Sequence, residues 1–350
     1  MFILKKSFFH YFLNKEIKIL IILILSTLLI IIKIGSILTP IIISIIISYF
    51  LQGGVKYLKQ INISEPISYL IIYFIFLTIF ITCCTILMPL LWNQFINLFN
   101  DLPQMTQQIK NTLSQFTQQY QAYFSQEQVN SIVTHLTPNI QILGGNMLSI
   151  SISSIPGIIA LIMYLLLIPL LVFFFLKDNK NIINWFIKFI PNKYNLLNKI
   201  CLEMNNQLGN YIRGKIIEIL IVSFFTYLMF TYYNLNYSAI LAIIVGISSL
   251  IPIIGAIIVI IPIMLVGFIQ LGFSNQLFYI LIIYFIIQTI DGYILVPLLF
   301  SETINLHPIA IVISILIFGK IWGFWGIFFA IPLATLIKTI INVWPKNKNI

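Results

Sequence analysis

The chain has 350 residues, of which 60% are hydrophobic and only 8% are charged, and its mean hydropathy is +1.04. A soluble protein of this size covers itself with far more charge, so lipid must be the solvent for much of the chain. The net charge of +10 comes mainly from scattered lysines, with Arg213 as the single arginine. This pattern argues against a nucleic-acid partner, because such surfaces cluster their cations on one face and favour arginine.

Apolar runs of bilayer-crossing length recur along the chain, and each crossing needs about 20 mostly apolar residues. The runs predict eight membrane helices, at 17–32, 34–51, 67–91, 152–176, 216–233, 237–269, 277–299 and 308–338. The first is interpreted as a retained span, because no small-residue cleavage site follows it. The sixth and eighth are too long for one straight crossing, so we expect them to be broken or re-entrant. The predicted fold class is an all-α integral membrane protein.

The spans divide the chain into six expected regions. These are a three-helix membrane segment at 1–91, a polar helical insertion at 92–151, the fourth span at 152–176, a basic amphipathic segment at 177–215, a four-span core at 216–338 and a tail at 339–350. Lysine and arginine concentrate in the N-terminus, after the second and fourth spans, and in the tail. The positive-inside rule therefore places both termini and the 177–215 segment in the cytoplasm, and the 92–151 insertion in the periplasm.

Both insertions have helical apolar periodicity. In the first, apolar side chains recur at steps of three and four at Met105, Ile109, Leu113, Phe116, Tyr120 and Tyr123, and a second helix is predicted from Ser125 to Pro138. This stripe either packs on its own protein or pairs with another subunit, as in a homo-oligomer. In the second, the stripe consists of Leu197, Ile200, Met204, Leu208 and Tyr211. It either lies on the lipid headgroups or packs on the membrane domain as a connector.

No enzyme motif is present: the sequence has no P-loop, no H-E-x-x-H and no G-x-S-x-G. The histidines, His10, His135 and His307, stand far apart, and Cys83, Cys84 and Cys201 form no disulfide or zinc pattern. We therefore expect no enzyme activity, cofactor or metal. Without an ATP-binding motif, energy must come from a gradient or a partner.

Glycines and prolines interrupt the last spans. Broken helices expose backbone carbonyls at membrane depth, and transporters use such breaks as binding sites. The candidate positions are Pro252, Gly255, Pro262, Pro297, Gly319, Gly323, Gly326 and Pro332.

Asp291 is the carboxylate most deeply embedded in an apolar run, with Gln288 in the same stretch. A charge at the bilayer centre costs about 2.5–3.5 kcal/mol on insertion scales, so it should face the protein interior. Lys320 in the next span is its expected partner, in either a functional or a structural pair. Glu218 is a further candidate, although Lys215 lies three residues earlier on the same helix face and is positioned to neutralise it.

An ordered set of motifs resembles the autoinducer-2 exporter (AI-2E) family, in its PerM-like permease branch. The C-terminal part comprises Asp291-Gly292, the stretches from Val296 to Glu302 and from Asn305 to Pro308, Phe318 to Gly326, and Ala330 to Ala334. Upstream stretches match in order: Asp101-Leu102-Pro103, Leu176-Lys177-Asp178, Tyr211 to Lys215 and Ile251 to Gly255. The resemblance implies eight spans with a soluble insertion after the third, in the inner membrane of a bacterium. Characterised members of the family are described as exporters of autoinducer-2 or as sodium/proton antiporters.

Three hypotheses for function remain. The first is a secondary transporter or exporter of a small solute, with a pathway between spans five and eight. The second is a cation/proton antiporter, for which the single clear acidic site at Asp291 gives little support. The third is a non-transporting membrane scaffold that binds a partner through its periplasmic helices.

Overall fold

The computed structural model describes residues 38–119, 155–187, 195–252, 254–300 and 306–343. Within these ranges the chain is helical and contains no strand. The helices are α1 Thr39–Gln60, α2 Glu65–Thr82, α3 Met88–Gln119, α4 Ile155–Lys177, α5 Asn179–Ile187, α6 Asn195–Tyr232, α7 Ser238–Ser248, α8 Ile254–Leu271, α9 Asn275–Ile290, α10 Val296–Phe300, α11 Pro308–Phe328 and α12 Ala330–Val343. Two π-helical turns, π1 Cys83–Leu87 and π2 Asp291–Leu295, join α2 to α3 and α9 to α10. The predicted span at 17–32 and the helix predicted from Ser125 lie outside the described residues.

Six helical stretches of the described chain are long and apolar enough to cross a membrane. They are Thr39–Gln60, Glu65–Asp101, Glu203–Tyr232, Ile254–Leu271, Asn275–Phe300 and Pro308–Phe328. Ile162–Lys177 and Asn179–Trp185, bent by 81°, make a seventh when taken together. The all-α membrane fold class is confirmed, and the total of eight spans stays a prediction.

Many large apolar side chains point outward, as a lipid-facing surface requires. On α6, Phe224, Phe225 and Leu228 are about half exposed, and on α8 Ile257 and Ile261 are more than 60% exposed. In water such a surface would be strongly unfavourable, whereas hydrocarbon solvates it.

The described residues divide into two compact units. Unit 1 contains those up to Phe76, those of Tyr164–Ile216 and those from Leu298 onward, and unit 2 contains those of Leu77–Met163 and Ile217–Pro297. Helices α2, α4 and α6 each begin in one unit and end in the other.

In unit 1, hydroxyl side chains donate to backbone carbonyls of their own and of neighbouring helices. The Ser44 hydroxyl donates to the carbonyl of Pro40 at 2.7 Å and also reaches that of Ile168, on α4, at 3.3 Å. The Tyr211 hydroxyl of α6 donates to the Phe328 carbonyl at 2.8 Å. Such bonds satisfy groups that hydrocarbon cannot hydrate.

Unit 2 is built around one apolar cluster contributed by four helices. Its buried members are Val222, Met229, Phe230, Leu235, Leu241, Ala242, Val245, Val259, Ile263, Val266, Ile280 and Tyr284. On α6, Val222 and Met229 are seven residues apart and therefore share a face, opposite to the half-exposed Phe224. The core thus lies among α6, α7, α8 and α9.

The sixth apolar run contains two helices, α7 and α8, and the turn at residues 249–252 follows α7. With 11 residues, α7 is too short to cross a bilayer alone. Pro262, predicted as a further break, lies inside a continuous α8. That expectation was wrong, because a helix that is already bent or supported by neighbours can tolerate the missing donor of one proline.

The eighth run is divided at Gly323, which has φ 60° and ψ −135°, a left-handed conformation open to glycine. After this kink the chain folds back closely, because a Cβ on Gly326 would lie 1.8 Å from the Phe318 carbonyl oxygen. Gly319 packs on Ile327 across the same bend. Pro332 lies in the first turn of α12, where the missing donor does no harm. The depth of both interruptions in the membrane stays a prediction.

Two boundaries suggested by hydropathy are not helix ends. α3 runs through residue 92 to Gln119, so residues 105–119 of the insertion are helical. α6 runs through residue 215 without interruption. Met204 and Tyr211 of its apolar stripe are buried, and Tyr211 contacts unit 1 side chains, which supports the connector alternative at these positions.

Candidate functional site

Three polar side chains are buried in unit 2: Glu218 and Thr226 on α6 and Asp291 at the start of π2. Glu218 is 1% exposed and Asp291 is 7% exposed. Both carboxylates belong to stretches with the length and hydropathy of membrane spans. These residues are the strongest candidates for a site, because burying a carboxylate is costly unless it is paired or hydrogen-bonded, and carboxylates within spans often mark substrate or ion pathways.

Asp291 lies at the end of a polar line along α9. Tyr284, Gln288 and Asp291 are spaced by four and three residues and therefore share one helix face. Tyr284 is fully buried, and its hydroxyl donates to the Ala256 carbonyl at 2.7 Å. Gln288 is half-buried between them.

Glu218 on α6 lies, like Asp291, one helical turn from residues that belong to, or pack against, the apolar cluster of unit 2. Val222, one turn later on the same face, belongs to the apolar cluster, and Ile287 and Leu295, one turn before and after Asp291, pack against that cluster. Each carboxylate is therefore one turn from a residue in contact with the same core. The sequence made Glu218 the weaker candidate, because Lys215 lies three residues earlier on the same helix face and is positioned to pair with it.

The π-helical turn at Asp291 has a local cause. The Val296 N–H donates to the Asp291 carbonyl, five residues back, and Pro297 follows, which has no N–H and would crowd the carbonyl four residues back in a regular helix. The same arrangement occurs at π1, where Met88 bonds to Cys83 and Pro89 follows. Proline explains the geometry of both turns, and only the second carries a carboxylate.

The turn between α7 and α8 brings backbone polar groups close to this face. Gly255 is required there, because a Cβ on it would lie 1.8 Å from the Ser248 carbonyl oxygen. The turn satisfies several of its own groups: Ile251 N–H donates to Ser248 O at 3.0 Å, and Ile254 N–H to Pro252 O at 2.7 Å. Tyr284 connects α9 to the first residues after this turn through Ala256.

The predicted cations belong to unit 1. Lys320 on α11 is exposed, and its pairing with Asp291 stays a prediction. Lys215 is 3% exposed, and its ammonium lies 5.6 Å from the centre of the Phe300 ring, a cation–π geometry. Sequence reasoning did not identify this contact.

Polar side chains also form hydrogen bonds between α3 and the start of α7 in unit 2. The Tyr237 hydroxyl donates to the Asp101 carboxylate, and the Gln94 side chain accepts the Ile240 N–H at 3.1 Å, at the start of α7. Burial and then the bond to Asp101 raise the pKa of Tyr237 above its ordinary value. Gln270 bridges the same loop by accepting from Asn236 and donating to Asn234.

Comparison with known protein families shows which family the chain belongs to. The profile of the AI-2E family transporters matches residues 19–346. The chain belongs to the AI-2E transporter family. "Putative permease PerM" of Escherichia coli (strain K12) is 36% identical over 314 residues, which are 90% of this chain and 89% of that protein. "Putative transport protein YueF" of Bacillus subtilis (strain 168) is 28% identical over 298 residues, covering 83% and 80% of the two chains.

The resemblance predicted from the motifs is therefore confirmed, and this AI-2E family member is a multi-pass membrane protein of the transporter type. Three of the motif stretches contribute residues to unit 2: Asp101 accepts from the Tyr237 hydroxyl, Ile251 and Pro252 lie in the α7–α8 turn, and Asp291-Gly292 opens π2. These three stretches coincide with polar features of this unit, and most of the other motif residues belong to unit 1.

Proposed function

We propose that this protein is a secondary transporter that exports a small solute across the cytoplasmic membrane of a bacterium. The observation that carries the proposal is the pair of buried carboxylates, Asp291 and Glu218, inside the spans of an AI-2E family member. Both termini are proposed to lie in the cytoplasm, following the distribution of lysine.

In this mechanism the carboxylates supply the coupling. A carboxylate in a low-dielectric site is stabilised by a proton, a cation or a hydrogen-bonding solute. Binding of any of these lowers the cost of its burial, so occupancy of the site and the conformation of the spans become linked. The α7–α8 turn adds backbone carbonyls, which solvate a polar solute where a regular helix could not.

The structure gives one observation that bears on a cation/proton antiporter. Two buried carboxylates, rather than one, are available in unit 2. The names of these relatives describe permeases and transport proteins without ion exchange, so export of a solute is our first proposal and exchange the second. In a scaffold without transport, these buried carboxylates would have only a structural role.

Reconstituted vesicles distinguish the three hypotheses. Purified protein is inserted into proteoliposomes, and movement of autoinducer-2 is measured with and without an imposed proton gradient. In parallel, a pH-sensitive dye reports proton movement on addition of sodium. Gradient-dependent flux of autoinducer-2 supports the exporter, and sodium-dependent proton movement alone supports the antiporter. Rates equal to those of protein-free vesicles in both assays would favour the scaffold.

A further inference from the structure

A polar cavity of about 230 Å³ lies within unit 1, between the last turns of α1 and the early turns of α6. Its lining includes Tyr49 and Lys56 from α1, and Asn205, Gly209, Asn210 and Arg213 from α6. The transport site proposed above uses none of these residues. The cavity is smaller than the roughly 300–1,000 Å³ of pockets for drug-sized ligands, so a small chemical group is the expected occupant.

Hydrogen bonds within the cavity occupy the carbonyl oxygens of two asparagines. The Tyr49 hydroxyl donates to Asn205 Oδ1 at 2.6 Å, and Arg213 Nη2 donates to Asn210 Oδ1 at 2.5 Å. Each carbonyl oxygen keeps one further lone pair, and each asparagine also carries an amide nitrogen, which can only donate. Both amide nitrogens can therefore donate to a ligand.

The charges of the cavity have one sign. Lys56 and Arg213 are cationic, and none of the described residues that line the cavity is acidic. Arg213 is the single arginine of the chain, and its planar guanidinium suits the bidentate recognition of phosphate or carboxylate. The excess of positive charge, with no acidic side chain in the described lining, favours an anionic ligand.

The arginine is held in position by close packing. A Cβ on Gly53 would lie 3.0 Å from Arg213 Cδ, and a Cβ on Gly209 would lie 3.5 Å from Arg213 Nη1 and 3.4 Å from the Tyr49 ring. The guanidinium is thus confined between α1 and α6, which lowers the entropy that it loses when it binds a ligand.

We propose that this cavity binds a phosphate group through Arg213, Lys56 and the amides of Asn205 and Asn210. Phosphate presents several anionic oxygens to a cavity that holds two cations and several N–H donors, and arginine is the residue best matched to its geometry. The group comes either from an anionic lipid headgroup or from a soluble phosphate. The site is independent of which solute the protein transports.

Full-length protein in detergent tests the site with two probes. Native mass spectrometry measures retention of phosphatidylglycerol, which has a net negative charge, against phosphatidylcholine, which has none. Calorimetry of delipidated protein measures binding of inorganic phosphate. Selective retention of phosphatidylglycerol identifies a lipid headgroup as the source, and binding of inorganic phosphate identifies a soluble source.

Three variants make the test specific. We expect Arg213→Gln and Lys56→Gln each to weaken binding of the positive probe by about tenfold or more, as loss of a charge-assisted bond implies. Lys59→Gln removes the same charge from the same helix outside the cavity, where Lys59 pairs with Glu65 at 2.6 Å, and should leave binding unchanged. Lys56 is exposed, so its variant reports on binding even if Arg213→Gln does not fold. Failure of both probes to bind, or equal weakening by Lys59→Gln, would overturn the proposal.

Discussion

Asp291 and Glu218 are the residues on which the functional account depends. Each lies one helical turn from side chains that contact the apolar cluster of unit 2, and each is almost completely shielded from solvent. A buried carboxylate without compensation costs several kcal/mol, so each must bind a proton, a cation or a neighbouring polar group. Groups that exchange such partners are suited to coupling.

Glu218→Gln tests the less obvious of the two. The amide keeps the size of the side chain and removes its ability to release a proton or bind a cation. We therefore expect the transport rate in proteoliposomes to fall by at least about tenfold, which corresponds to a rise of about 1.4 kcal/mol in the activation free energy. Glu203→Gln on the same helix is the control, because Glu203 is exposed. Equal transport by the two variants would show that the charge of Glu218 is dispensable.

Gly255→Ala tests the tight turn between α7 and α8. Its new Cβ would collide with the Ser248 carbonyl oxygen, and backbone must shift to relieve this. We expect destabilisation of at least about 1–3 kcal/mol, as for overpacked cores, measured as a lower thermal midpoint in detergent. Gly292→Ala, next to Asp291, has no atom within 4 Å of the new Cβ and should have much less effect. An unchanged midpoint for Gly255→Ala would contradict this description of the turn.

At the scale of elements, proline and glycine explain the irregular helices, but with different outcomes. Pro89 and Pro297 each follow a π-helical turn, and Gly323 introduces a left-handed kink, whereas Pro262 leaves α8 continuous. The sequence could predict where interruptions are permitted. It could not predict which prolines leave a helix continuous, because that depends on the neighbouring helices.

Tyr237→Phe tests the packing of α3 on the start of α7. The variant loses the hydroxyl that donates to the Asp101 carboxylate, and we expect a loss of about 1.5 kcal/mol, the lower end for bonds to charged groups, seen as a lower thermal midpoint. The control is Tyr232→Phe, since Tyr232 is 80% exposed and should not change the midpoint. Equal thermal midpoints for Tyr237→Phe and wild type would mean that this hydrogen bond does not stabilise the packing of α3 on α7.

At the scale of the whole molecule, composition and motifs were enough for the fold class and the family. Hydropathy indicated that most of the chain lies in membrane-spanning helices, since it measures the solvent that each segment requires, and the total of eight spans stays a prediction. It could not find the ends of α3 and α6, which continue as polar helices beyond the apolar runs. The burial of Asp291 was predicted, but the cavity around Arg213 was not, because Tyr49 and Asn205 are 156 residues apart in the sequence.

Topology is tested by cysteine labelling across the membrane. Lysine distribution predicts that residues near Lys56, near Asn195 and at the C-terminus are cytoplasmic, and that residues near Gln118 and Asn305 are periplasmic. Single cysteines at these positions are labelled in intact cells with an impermeant reagent, in a background without the native cysteines. Labelling of Gln118 and Asn195 from the same side would contradict the orientation.

The most direct test of the account is the transport rate of Asp291→Asn, compared with wild type in the same proteoliposomes under an imposed proton gradient. Asp178→Asn, in the connection between α4 and α5, is the matched control. We predict that Asp291→Asn inserts and folds but loses transport of the solute that the wild type moves, while Asp178→Asn retains it. If the carboxylate is only structural, the variant should instead lose yield or thermal stability. Transport at the wild-type rate by well-folded Asp291→Asn protein would contradict the claim that its ionised carboxylate is essential.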